Sequence, residues 1–160
     1  MHIEGADYEE PHMTGKSEEL LRTFLREHPH EDIADIGGLL TELEDIPREV
    51  FNYPSIDICL RALPRSYRTI ISMDTFEHIL DPIAAAKNII ASLQNGGFLF
   101  LTTVFSWPYH CYPIDTYRYS STALAYLFRD LSIIRCWMED DGGNTRSSII
   151  ATTRNWKVDE

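Results

Sequence analysis

Two apolar segments, T-I-I-S-M at residues 69–73 and F-L-F-L-T-T-V at 98–104, constrain this chain more than any other feature, because the stretch between them carries one helical pattern. In residues 82–94, Ile83, Ala86, Ile89, Ile90 and Leu93 recur at helical spacing. Asp81 suits the cap and Pro82 the first turn, where its missing N–H costs nothing. Asn95-Gly96-Gly97 then stops the helix in the usual glycine manner. Strand, helix and strand in this order describe part of a mostly parallel α/β sheet.

Both strands run into polar loops. Asp74, Glu77, His78 and Asp81 gather just beyond the first. The second leads into S-W-P-Y-H-C-Y-P-I-D-T-Y-R-Y-S, with His110, Asp115, Arg118 and the rings of Tyr109, Tyr112, Tyr117 and Tyr119. In an open α/β sheet such loops share the edge at the carboxyl ends of the strands, where ligands bind.

The rest of the chain fits around this unit. Residues 17–28 read as a helix that Ser17 can cap, with Leu20, Leu21, Phe24 and Leu25 as its apolar stripe. A short strand at 32–36 ends at Gly37-Gly38. A short helix at 39–45 and a strand within 50–58, broken by Pro54, come next. A helix at 121–128 is capped by Ser120 or Ser121. Strands at 131–138 and 148–153 are joined by E-D-D-G-G-N-T-R, too short for a helix, so this pair is antiparallel. Residues 1–160 are expected to form one domain, with 1–30 as lead-in and first helix.

The formal net charge of −11 disfavours nucleic acid as a partner, since such binding depends on Lys and Arg neutralising phosphates. No apolar run approaches the roughly 18 residues that span a bilayer. The first residues, M-H-I-E-G-A-D-Y-E-E, lack the apolar centre of a signal peptide, so a cytoplasmic location is expected. Cys59, Cys111 and Cys136 form no C-x-x-C pair, which suggests neither a zinc ribbon nor a disulfide framework. No resident metal is expected. A hydrolase metal set of His78, His110, Cys111 and Asp115 has suitable residue types but lacks the short ligand pair that usually anchors such a site.

Asp35-Ile36-Gly37-Gly38 combines a strand end with glycines that permit close backbone approach. A nucleotide site also wants an acid about 20 residues further on for the ribose hydroxyls, and Asp57 stands near that distance. The third glycine of a dinucleotide fingerprint is absent, which argues against NAD.

S-M-D-T-F-E-H-I-L-D-P, a helix ending in S-L-Q-N-G-G, and F-L-F-L-T-T-V-F together closely resemble the small class I methyltransferases that use S-adenosyl-L-methionine. The loop W-P-Y-H-C-Y-P-I-D-T-Y-R-Y-S resembles the subset carrying P-x-H-x-x-P-x-D-x-x-R-F/Y-S/T. The resemblance covers about residues 70–128. It implies a Rossmann-like α/β fold with helices on both faces of a mostly parallel sheet and an antiparallel C-terminal hairpin.

The first half departs from the family pattern. D-I-G-G-L-L stands where a glycine-richer loop is usual, with Leu39 in place of the second glycine, and the stretch between Asp57 and Thr69 is short. Asp57 corresponds either to the ribose-binding acid or to a later acid near the adenine, since Ala62-Leu63-Pro64 resembles the residues that come after that later acid. In the second case the ribose acid is missing or displaced to a residue such as Glu49.

The resemblance implies that S-adenosyl-L-methionine lies beside Asp35, Gly37, Gly38 and Asp57, with Met73 and Asp74 on its adenine side. The acids suit a sulfonium and an amine. His110 and His78 are the candidate catalytic bases, and Trp107, Asp115, Tyr117 and Arg118 the candidate acceptor-binding residues. The acceptor is expected to be a small molecule or glycan-like. Blander roles stay open: His78 as a backbone-bonded residue, and Asp115 with Arg118 as an internal brace. The alternative function is a non-catalytic binding or scaffold protein, with Leu39 and Leu40 filling a degenerate cofactor cleft.

Overall fold

The computed structural model describes residues 17–27, 32–38, 45–111 and 113–153. The elements are α1 (Ser17–Glu27), β1 (Ile33–Ile36), β2 (Glu49–Phe51), β3 (Tyr67–Met73), a 3-10 turn at Phe76–His78, α2 (Pro82–Ala91), β4 (Leu93–Ser106), α3 (Ser121–Leu127), β5 (Ser132–Asp141) and β6 (Asn144–Thr152). The strands form a six-stranded sheet in the order β2-β1-β3-β4-β6-β5. β2, β1, β3 and β4 pair in parallel, whereas β6 is antiparallel to both β4 and β5. This is the α/β, Rossmann-like arrangement with an antiparallel terminal hairpin that the strand and loop lengths imply.

Alternation along the central strands divides the core between the two faces of the sheet. Ile70, Leu99 and Leu101 pack with Ala85, Ala86 and Ile89 of α2 and Leu124 and Ala125 of α3. Ile71, Met73, Phe98 and Phe100 pack on the other face with Leu21, Phe24 and Leu25 of α1 and with Trp137. Helices therefore cover both faces. Met73, at the end of β3, is 4% exposed in the layer under α1.

Several boundaries differ from the sequence reading for physical reasons. α2 stops at Ala91 rather than near residue 94. Ser92 Oγ bonds the Asn88 carbonyl and accepts from Leu63 N, and Tyr67 N donates to Ser92 O at 2.8 Å, which draws Leu93 into the sheet. Asp81 caps α2 by accepting from Ala84 N at 3.0 Å, and Ser120 caps α3 by accepting from Ala123 N at 3.2 Å. Ser17 Oγ is engaged elsewhere, 3.2 Å from Ser148 Oγ on β6. The terminal hairpin is longer than expected. Gly142 and Gly143, with φ of 62° and 89°, make its whole turn, so Glu139 to Asp141 and Asn144 to Arg146 are paired. The helix expected at 39–45 falls almost wholly outside the described residues.

The end of β1 is fastened to the end of β3. Thr75 Oγ1 lies 3.1 Å from the Ile36 carbonyl and 3.0 Å from that of Met73. Gly37 sits beneath it with φ of 106°, and a Cβ there would meet Thr75 Oγ1 at 2.1 Å. Gly37→Ala should therefore cost about 2–4 kcal/mol in urea unfolding, from backbone strain plus overlap. Adding Thr75→Ala should recover the overlap but not the strain. A neutral Gly37→Ala would contradict this packing.

Cys136 is fully buried, its thiol lies 3.1 Å from the Ser121 carbonyl, and burial pushes its pKa up to about 12. It should stay protonated and unreactive to an aromatic disulfide reagent at pH 8. Exposed Cys111 should react at once, and Cys136 only after unfolding.

Candidate active site at the carboxyl edge of the sheet

The parallel strands β1 to β4 all end at one edge, where β5 also ends and β6 begins. Two groups of side chains stand there.

The first surrounds the β1 turn. Asp35 is 1% exposed; its Oδ2 accepts from Arg48 Nε at 2.8 Å and its Oδ1 from Gly38 N at 3.2 Å. Gly37 N donates to the Phe51 carbonyl at 3.1 Å. Gly38, with φ of 57°, lies against Val50 and the Asn52 carboxamide. Asn52 is the first residue after β2, so the position expected to hold a ribose acid carries an amide. Asp57 lies five residues later, in the connection to β3. Its Oδ1 accepts from Cys59 N at 2.9 Å and its carbonyl from Leu60 N at 3.0 Å. Glu49 does not substitute for a ribose acid. It opens β2 at the opposite edge, where it pairs with Arg65 and accepts from Tyr67 OH at 2.7 Å.

These residues fit a cationic nucleoside cofactor in chemistry and placement. A carboxylate offers about four lone-pair sites, and Asp35 uses two of them on Arg48 and Gly38. It can still accept from an amine. Asn52 can donate to and accept from vicinal hydroxyls. Leu39 and Leu40, expected to crowd this cleft, lie outside the described residues.

The second group joins the ends of β3 and β4. The 3-10 turn after β3 presents Glu77 and His78. The loop from Trp107 to Tyr119 folds back onto it: Thr116 N and Oγ1 both donate to the Glu77 carbonyl at 2.8 Å, and Tyr119 OH donates to the Phe76 carbonyl at 3.2 Å. Glu77 is 1% exposed, and its Oε2 accepts from Thr103 Oγ1 at 2.6 Å. Burial pushes its carboxyl above the ordinary range, against the lowering effect of Thr103. His78 Nδ1 lies 2.5 Å from the Ile114 carbonyl, and His110 Nδ1 lies 3.0 Å from that of Pro108. The two imidazoles meet edge to face, with centroids 4.9 Å apart.

Asp115 and Arg118 brace this loop. Arg118 grips both carboxylate oxygens, Nη1 to Oδ1 at 2.5 Å and Nη2 to Oδ2 at 2.9 Å, and donates also to the carbonyls of Trp107, Pro108 and Tyr117. Asp115 Oδ2 also accepts from His110 N at 2.7 Å. The Arg118 guanidinium holds the Asp115 carboxyl well below the usual carboxylate range. Tyr117 is largely exposed, with its OH 3.3 Å from the Leu80 carbonyl. Asp74, in the left-handed region at φ 48°, pairs with Arg146, whose guanidinium also holds Asp141 at 2.6 Å and covers the Trp107 ring at 4.8 Å.

His78, His110, Glu77 and the Asp115–Arg118 brace are thus brought together, whereas Asp35, Gly37, Gly38 and Asn52 form the neighbouring group. Sequence reasoning missed Arg48, Asn52, Thr75 and Arg146. Arg146 had a signal: extending the hairpin alternation to its two glycines places it opposite Glu139. Arg48 had none, because its partner Asp35 lies on a different strand.

A protein-family model described as a methyltransferase domain matches residues 18–141. The fold recurs in the N-methyltransferase NodS from Bradyrhizobium japonicum, at 13% identity and a TM-score of 0.64 over 85% of this chain and 93% of that one. A putative methyltransferase crystallised with the Haloferax volcanii activator Trm112 aligns at 15% identity and a TM-score of 0.62, over 84% of this chain and 89% of that one. Magnesium protoporphyrin IX methyltransferase from Synechocystis, solved with bound S-adenosylmethionine, aligns at 14% identity and a TM-score of 0.60, over 86% of this chain and 78% of that one. No curated protein matches the chain in sequence. The chain belongs to the methyltransferase-domain family, with the class I fold of S-adenosylmethionine-dependent methyltransferases. Among the described residues, no helix is long and apolar enough to cross a membrane.

The Arg118 fork generates a direct test. Arg118→Lys keeps the charge but loses the two-pronged grip. It should lower stability by about 1–2 kcal/mol and speed hydrogen exchange at the amides of His110 and Thr116. Unchanged exchange there would contradict the brace.

Proposed function

We propose that this protein transfers the methyl group of S-adenosyl-L-methionine to a small-molecule or glycan-like acceptor. The observation that carries this reading is the pairing of two groups on one sheet edge within a methyltransferase-family chain. A turn suited to a cationic nucleoside lies beside a pair of imidazoles whose Nε2 atoms face a buried carboxylate.

Asp35, Gly37, Gly38 and Asn52 would hold the cofactor, with Asp57 and Asp74 at its margins. Met73 contributes from below, by shaping the layer under β1 and β3. When bound, the cofactor supplies a methyl carbon on a sulfonium, with a neutral thioether as leaving group. Little bond activation is then asked of the protein, and positioning supplies most of the rate. The chain's part is to hold the acceptor in line and to take its proton. His110 and His78 are the groups for the second task, because each ring has a nitrogen other than the one engaged by a backbone carbonyl. Trp107 and Tyr117 suit the walls of the acceptor site. Asp115 and Arg118 act on the acceptor through the loop they hold. Nucleic acid is not the proposed acceptor, in keeping with the net charge of −11.

Calorimetry with S-adenosylmethionine and its demethylated product tests this reading. Wild-type protein should bind both. Asn52→Ala and Asp35→Asn should each weaken binding about tenfold, or 1.4 kcal/mol. Absence of binding by either ligand at millimolar concentration would favour the non-catalytic alternative.

A further inference from the structure

We propose that Glu77, His78 and His110 form a binding site for one divalent transition-metal ion, held through Glu77 Oε1 and the two imidazole Nε2 atoms. One ligand atom from each of the three lies within 4.8 Å of the others. Glu77 Oε1 is 3.8 Å from His78 Nε2 and 3.9 Å from His110 Nε2.

Hydrogen-bond logic fixes what these atoms are. A carbonyl oxygen only accepts, so His78 Nδ1, at 2.5 Å from Ile114 O, and His110 Nδ1, at 3.0 Å from Pro108 O, must each carry the proton. In a neutral ring the lone pair is then on Nε2. Two imidazole lone pairs and a carboxylate oxygen therefore stand within 4.8 Å of one another. Their separations exceed a hydrogen bond, which ends near roughly 3.2 Å. The two separations from Glu77 Oε1 are only about half an ångström wider than the edges of a tetrahedron around an ion with ligand bonds of roughly 2.0–2.1 Å, and all three ligand atoms lie within 4.8 Å of one another.

The surroundings are those of a held site. Metal-ligating histidines ordinarily donate their other ring N–H to a carbonyl or carboxylate, which fixes ring and tautomer. Both rings do so here, and Asp115 Oδ2 stands 3.6 Å from His110 Nδ1. Glu77 is fixed by Thr103 at 2.6 Å. The two supporting segments are joined by the two Thr116 bonds to the Glu77 carbonyl. Glu77 and His78 are adjacent in the turn after β3 and His110 follows β4, so the set spans two strand ends and contains no short His-x-x-x-His pair.

A set of two imidazoles and one carboxylate suits Zn²⁺, Co²⁺, Fe²⁺ or Mn²⁺ and leaves coordination positions open. On the methyl-transfer reading, which this consequence rests on, an acceptor hydroxyl would occupy an open position. Its proton would pass to water, its oxygen would form the bond to the methyl carbon, and the carbon–sulfur bond would break to leave the thioether.

The test uses untagged, chelator-stripped full-length protein titrated with Zn²⁺ and Co²⁺, with readout by calorimetry, by the visible spectrum of the Co²⁺ form and by thermal melting. One ion per chain should bind, raise Tm and give a cobalt spectrum with nitrogen ligation. Glu77→Gln, a near-isosteric change, should weaken binding by roughly tenfold or more. The His78→Ala, His110→Ala double variant should abolish the cobalt spectrum while still melting cooperatively. No saturable ion in wild type, or an ion retained with an unchanged spectrum in the double variant, would overturn the site. Binding of the demethylated cofactor, measured in parallel with chelator present, separates the outcomes. Its loss with metal binding intact counts against the methyltransferase reading alone, and the reverse counts against the metal site alone.

Discussion

Parallel pairing of β3 with β4, with Met73 opposite Thr102, sets where the polar groups of the site stand. It puts the turn after Met73 beside the outer half of β4, so Thr103 can reach Glu77 and the Asp74 amide can donate to the Thr102 carbonyl at 3.0 Å. Flanking strands add the rest. Thr75 ties β3 to the end of β1, and the β4–β6 register brings Arg146 opposite Val104, within reach of Asp74. The apolar layers on both faces hold these strand ends rigid, and the chemistry sits on that platform.

In a chain of net charge −11, three acids at this edge are paired with arginines. Asp35 has Arg48, Asp74 has Arg146 and Asp115 has Arg118. Glu77 has no such arginine among the described residues, and neither have Asp57 and the buried Glu139, which accept from N–H groups. Glu77 is buried as deeply as Asp35, yet its partners are a hydroxyl and two imidazoles instead of a guanidinium. Burying a carboxylate without a full counter-charge costs stability. Facing two imidazoles, the buried Glu77 carboxylate is placed to share a proton or, on the inference above, a cation. The general-base role and the metal site are alternatives, because each draws on the same Nε2 lone pairs.

The parts legible in the sequence were those governed by local rules. The helical period after Pro82 and the Asp81 cap marked α2 between its flanking strands, although the stop expected at Gly96-Gly97 lies inside β4 and the helix ends at Ala91; the shortness of the E-D-D-G-G-N-T-R connection marked the antiparallel hairpin. Asp74, Glu77, His78, His110 and Asp115 were recognisable because acids and histidines clustered just past apolar runs. Pairing between strands stayed hidden. Nothing local says that Arg48 will neutralise Asp35 or that Asn52 will come after β2 at the edge, whereas the Asp115–Arg118 brace was one of two roles the sequence left open for that pair. Which face of β3 Met73 joins was also hidden, because a one-residue alternation decides it, and at that position the face belongs to α1.

The central claim is that the edge formed by the ends of β1, β2 and β3 receives the nucleoside cofactor. Amide chemical-shift mapping during titration with the demethylated cofactor tests it most directly. The account predicts saturable shifts concentrated at Gly37, Gly38, Asn52, Asp57, Asp74 and Thr75, with the amides of β5 remote from that edge unmoved. Saturable binding with shifts elsewhere, or none at these six amides at millimolar ligand, would contradict it.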